Sequence, residues 1–158
     1  MLRRIMACAA VAVMLAPVLG LAADYPLSGK NTTIKFVGTK PNGKHEGGFK
    51  TVTGTASVAN NDPTTLKISI DIDMDSLYSD AEKLTAHLKS PDFFGVKTNP
   101  KSKFVSTSVE KTTDGYKVTG DFTMLGKTQS ISFPAKIAAT ADGLTLSSNF
   151  TIDRTKWG

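Results

Sequence analysis

Leu66-Lys67-Ile68-Ser69-Ile70-Asp71-Ile72-Asp73-Met74-Asp75 alternates apolar and polar side chains without a slip. A period of two marks a strand with one dry and one wet face, because successive side chains leave a pleated backbone on opposite sides. Leu66, Ile68, Ile70, Ile72 and Met74 share the dry face, while Lys67, Ser69, Asp71, Asp73 and Asp75 share the wet one. Such a strand belongs in an antiparallel sheet with one side on a core. The three aspartates lie along one solvated ridge, which is a poor cage for a cation.

On either side of this stretch the same alternation recurs over 32–38, 49–58, 104–110, 116–124, 129–139 and 144–153. Asn42-Gly43, Asp114-Gly115 and Asp142-Gly143 favour tight hairpins, and Asn60-Asn61-Asp62-Pro63 and Leu125-Gly126 mark two more turns. The expectation is an all-β meander that curls up to hide its edges. One segment departs from it. Ser79 with Glu82 three positions on reads as a capping box, Ala81, Leu84 and Leu88 fall on one helical face, and Ser90-Pro91 stops the helix.

Upstream, Met1-Leu2-Arg3-Arg4 precedes an uncharged run over 5–21 that ends in Ala22-Ala23. That order of charge, apolar run and small residues is the pattern of a cleaved secretory leader. Pro17 and Gly20 interrupt the run, and its length is at the lower limit for a membrane span. We therefore expect a signal peptide over 1–23, a single mature domain over 24–158, and release into the periplasm. The chain carries a net charge of +5; Arg3 and Arg4 leave with the leader, so the mature part is at +3. The single cysteine, Cys8, also lies in the leader, too early for lipid attachment, which removes disulfides and thiolate chemistry from the mature domain.

Candidate chemistry is sparse. His45 and His87 are the two histidines and do not share a ligand-like spacing, so no metal is expected. No G-x-S-x-G and no phosphate cradle opening a helix is present, and no catalytic residues are assigned. Lys30, Lys35, Lys40, Lys44 and Lys50 cluster early. They are read as a soluble edge or as contacts to anionic lipid head groups, with no role in nucleic-acid binding. The phenylalanines sit mostly on apolar strand faces, where they form core. A closed barrel of about eight strands has room inside for one small ligand, so such a face serves as core and pocket together.

His87-Leu88-Lys89-Ser90-Pro91-Asp92-Phe93-Phe94 resembles the YceI-like family of lipocalin-like, polyisoprenoid-binding proteins. The resemblance extends through Phe36-Val37-Gly38-Thr39-Lys40, Gly48-Phe49, Gly54, Asn99-Pro100, Phe104, Gly120-Asp121-Phe122-Thr123-Met124, Gly126-Lys127-Thr128, Phe150-Thr151-Ile152-Asp153-Arg154 and Trp157-Gly158. It implies an extended eight-stranded antiparallel barrel with one short helix and a narrow apolar channel for an isoprenoid chain. Two departures stand out. Gly95 replaces a second acidic residue common in the family, and the family continues past the position of Gly158 into a final strand, so the expected barrel lacks its closing strand.

Face alternation assigns Phe36, Phe49, Ile68, Ile70, Ile72, Met74, Phe122, Ile131, Phe133, Phe150 and Ile152 to the interior. Leu84, Leu88, Phe93 and Phe94 are expected to cover the barrel mouth as a lid or a static plug. The expected function is periplasmic binding or carriage of a polyprenyl or quinone-type lipid, without a resident cofactor and with transient contact to the membrane surface. Two other readings are an accessory that presents quinone to a membrane cytochrome, and a stress or interaction protein whose channel is packed core.

Overall fold

A computed structural model describes residues 21–40 and 43–158, so nearly all of the expected leader lies outside the described residues. The elements in chain order are β1 (Ala22–Ser28), β2 (Ile34–Lys40), β3 (Gly43–Phe49), β4 (Val52–Ala59), β5 (Lys67–Asp73), β6 (Leu77–Ser79), α1 (Glu82–Lys89), β7 (Lys101–Thr112), β8 (Gly115–Met124), β9 (Lys127–Thr140) and β10 (Gly143–Ser147). All the strand pairs are antiparallel, in one sheet ordered β1-β4-β5-β7-β8-β9-β10 and a second ordered β2-β3-β6.

The two sheets are continuous staves. The β2–β3 hairpin runs on into the β1–β4 pair, and the β4–β5 pair runs on into β3–β6, so each long strand crosses a corner and continues. The result is a nearly closed barrel of seven staves. Among the described residues its open seam lies between β10 and the β1–β2 stave.

The corner explains why 49–58 is two strands. Lys50 N donates to Ser76 O at 3.2 Å and Thr51 N to Ser76 Oγ at 3.0 Å, so these amides leave the ladder for the opposing turn. The decisive alternating stretch bends at the same level. β5 ends at Asp73, whose carboxylate accepts from Asp75 N at 3.0 Å and caps a single 3-10 turn over Met74–Ser76. β1 was hidden in the sequence by Pro26 and by the adjoining leader; Tyr25 and Leu27 nonetheless pack on the core from it.

The capping box does not form. Ser79 is committed to the β6 ladder opposite Gly47, and the helix starts at Glu82 behind Ala81 with no side-chain cap. Ser79 Oγ instead meets Thr85 Oγ1 at 2.7 Å. The stop is as expected: α1 ends at Lys89, with Ser90 as its cap. No helix among the described residues is long and apolar enough to cross a membrane.

Candidate functional site: an apolar line through the barrel

Strand by strand, one parity faces inward. On β8 the inward set is Val118, Gly120, Phe122 and Met124; on β9 it is Ile131, Phe133, Ala135, Ile137 and Ala139. β7 changes parity midway, from Ser102 and Phe104 to Val109, because a bulge between Ser106 and Ser108 inserts a residue against β8. Thr107 is the extra residue, and Ser106 beside it turns its hydroxyl to accept from Ile68 N at 2.8 Å. At Gly120 a Cβ would fall 2.5 Å from the Phe104 ring, so that ring packs against bare backbone.

The inward side chains form two clusters. One gathers Ala56, Val58, Leu66, Ile68, Phe104, Val109, Val118, Phe133 and Ala135; the other gathers Val52, Ile72, Met74 and Val96. Ile70 and Phe122 pack against both, which joins them into one apolar line. Ser102, the buried polar side chain among them, donates to Met74 Sδ at 3.1 Å.

Of the residues expected to line a channel, Ile68, Ile72, Met74, Leu88 and Phe133 are buried, and Phe36, Phe49, Ile70, Leu84, Phe93, Phe94, Phe122 and Ile131 are half-buried. Phe150 and Ile152 are corrections: they stand 45% and 38% exposed. β10 ends at Ser147, so the chain beyond it has no ladder to aim alternate residues inward, although Phe150 still stacks on Phe133 with centroids 4.3 Å apart. Alternation also passed over Phe104, Val118 and Trp157, all buried.

One end of the line is covered by chain distant in sequence. After α1, Phe94 N donates to Leu88 O at 3.1 Å, Val96 N to Lys89 O at 3.2 Å and Gly95 N to Ser90 O at 2.8 Å, folding the turn back onto the helix end. Gly95 has φ +51°, a left-handed backbone that suits glycine. Phe94 and Val96 join the second cluster, and Phe93 meets Phe94 edge-on at 4.9 Å. From the other side comes Trp157, 1% exposed, whose Nε1 donates to Phe122 O at 3.0 Å. Its turn is capped by Asp153, which accepts from Thr155 N and Oγ1.

Two grooves of about 370 and 430 Å³ lie by the turn between β7 and β8, both bordered by Asp114, Tyr116, Lys136 and Ser147, with Ile137 lining the first and Ala135 the second. His45 Nδ1 is 2.9 Å from Asp80 Oδ1, and Glu46 N donates to Asp80 Oδ2 at 3.1 Å. That amide first, and His45 second, hold the Asp80 carboxyl below the usual range. Among the described residues no three histidine, cysteine or acidic side chains gather as metal ligands.

A curled antiparallel sheet with a dry interior and a helical cover at one end defines a lipocalin-like barrel, a fold consistent with binding a hydrophobic ligand. The chain belongs to the YceI-like domain family, whose model matches residues 25–158. It is 43% identical over 90 residues to a UPF0312 protein of Pseudomonas putida, covering 56% of this chain and 47% of that one. A UPF0312 protein of Serratia proteamaculans is 30% identical over 138 residues, covering 85% of this chain and 72% of that one. The chain thus spans about half the length of the first curated relatives it matches. In fold it is similar to Burkholderia cenocepacia BcnA, with a TM-score of 0.71 at 24% identity over 79% of each chain. The Campylobacter jejuni YCEI protein gives a TM-score of 0.61 at 23% identity over 96% of this chain and 84% of that one.

Proposed function

We propose that this protein binds and carries a long isoprenoid chain, polyprenyl or quinone-type, in the periplasm. The observation that carries the reading is the unbroken apolar line: Ile70 and Phe122 bridge two clusters that together run the length of the barrel. At about 25 cal/mol per Å², enclosing a few hundred Å² of alkyl surface yields several kcal/mol before ordering costs, without any chemistry. Cleavage after Ala22 or Ala23 removes at most two residues of β1 and keeps Asp24 to Ser28 in the ladder with β4, so export and folding are compatible. Intact mass of the protein from its own host tests the export step; an uncleaved, membrane-held product overturns it.

Native mass spectrometry and organic extraction of that same material test the ligand. Ile70→Asp puts an unpartnered carboxylate at the junction of the clusters and should abolish lipid retention and destabilise the fold, by about 4 kcal/mol where the charge is fully desolvated. Lys67→Ala, on the exposed face, should do neither. The packed-core reading has one observation in its favour: Val118 and Trp157 are fully enclosed by protein. A lipid-free, fully stable protein from the native host would establish that reading instead.

A further inference from the structure

The β2–β3 hairpin reaches past the ladder that holds it. β6 meets β3 at Gly47, Gly48 and Phe49, and the pairing stops there. Among the described residues, the overhang over 37–40 and 43–46 is hydrogen-bonded to the rest of the chain through one residue, Asp80, in the link between β6 and α1. Asp80 N donates to Glu46 O at 2.8 Å, Glu46 N donates to Asp80 Oδ2 at 3.1 Å, and His45 Nδ1 stands 2.9 Å from Asp80 Oδ1.

What lies beneath the overhang is apolar. Register puts Phe36 opposite Gly47 and Gly38 opposite His45, on one face of the hairpin. The Phe36 ring crosses bare backbone, since a Cβ on Gly47 would fall 2.5 Å from it. It meets Phe49 with centroids 6.0 Å apart, and Phe49 and Ile34 pack on the second cluster. Lifting the overhang therefore uncovers the side of the apolar line.

The charges around His45 leave Asp80 as its partner. Its neighbours on β3, Lys44 and Glu46, alternate onto the outer face and pair with each other at 2.8 Å. On β2 its register partner is the uncharged Gly38; Lys35 acts on Glu46, and Lys40 stands two positions further along the strand. From the far side of Asp80, Glu82 and Lys83 open α1 and are exposed. Imidazole is the side chain whose charge ordinarily changes between about pH 5 and 8. A protonated ring donates from both nitrogens, whereas a neutral ring carries its proton on Nδ1 in one tautomer and turns a lone pair to the carboxylate in the other.

We propose that the hairpin overhang is a flap over the apolar line and that the His45–Asp80 pair is its pH-dependent latch, tight while His45 is protonated and loosened as the pH rises. Its purpose, admission and release of the lipid chain, rests on the lipid-binding reading. The two side chains are 33% and 44% exposed, so water screens the pair and the latch works over a few-fold range.

Amide hydrogen exchange of the ligand-free full chain reads the flap without any lipid. Corrected for intrinsic rates, the amides of 37–40 and 43–46 should exchange about threefold faster relative to those of β8 at about pH 8 than at about pH 5.5. His45→Gln, neutral throughout, should abolish that dependence, and Lys83→Gln should leave it in place. A wild-type overhang indifferent to pH, a dependence that survives in His45→Gln, or an equal loosening of β8 overturns the latch. The wild-type series decides this even if the Gln variant fails to fold. Release of bound geranylgeraniol, followed by the fluorescence of Trp157, the single tryptophan, should accelerate by the same factor over the same range. Release that ignores pH while the overhang loosens overturns its role as a gate. If the overhang loosens but the wild type binds no geranylgeraniol, the latch stands and the lipid-binding reading falls.

Discussion

At its Tyr116 end β8 is flanked by ladder partners on both edges, Lys111 on β7 and Ala135 on β9, whereas its Phe122 end is also covered by residues far away in sequence, with Trp157 on the strand and Phe94 packed, like Phe122, on the second cluster. The first region draws its order from ladder pairing with strands joined to it by short turns, and that pairing aims each inward side chain. The second depends on two separate turns arriving over the same opening. The wall of the barrel is therefore locally encoded, and its closed end is an assembly that folding must complete.

The strongest test of that contrast is in the wall. Phe104→Ala removes a ring that covers Gly120 and lies 5.5 Å from Phe133, and it should cost about 3–5 kcal/mol in denaturant unfolding. A loss below about 1 kcal/mol would mean that the wall is not the stable part.

At the covered end, Leu88→Ala combined with Phe94→Ala distinguishes a lid from a plug. Leu88 is buried and Phe94 packs in the second cluster beside Val96, so the arrangement is that of an anchored plug, and the pair should lose about 3 kcal/mol. An unchanged melting temperature with faster exchange of a bound fluorescent lipid would make the segment a lid after all.

Trp157→Phe keeps an aromatic ring and deletes the bond to Phe122 O, for a loss of about 1 kcal/mol. If the variant is as stable as the wild type, the terminal turn is not pinned by that bond.

The smallest effect is in acid. Asp80 is held below its ordinary value by the Glu46 amide and then by His45, and Asp153 by the Thr155 hydroxyl and then its amide. With folded values depressed, their contribution is complete above the unfolded carboxyl value of about 3.9 and disappears as pH falls through the folded values. Carboxyl NMR titration should show both midpoints below the ordinary carboxyl value of about 3.9. Ordinary midpoints would remove Asp80 as the tie between the β2–β3 hairpin and the start of α1.

Much of this architecture follows from local pattern alone. Alternation placed β5, β7, β8 and β9, the dry faces of β5 and β9 and several of the tight turns, because a period of two and a turn that accepts positive φ are properties of a few adjacent residues. Membership of the barrel class was legible for the same reason. What alternation could not decide is where a ladder stops. Phe150 and Ile152 carry the right period yet stand exposed, in a stretch that no partner strand pairs with, and Ser79 carries a capping signature that its pairing with Gly47 overrides. The parity change in β7 came from a bulge, and the meeting of Arg154, Phe93, Trp157 and Phe122 came from segments dozens of residues apart. Side-chain direction along a strand is set by the backbone's own pleat, but which strand it faces, and what gathers at the barrel's end, is set only when distant segments share one core.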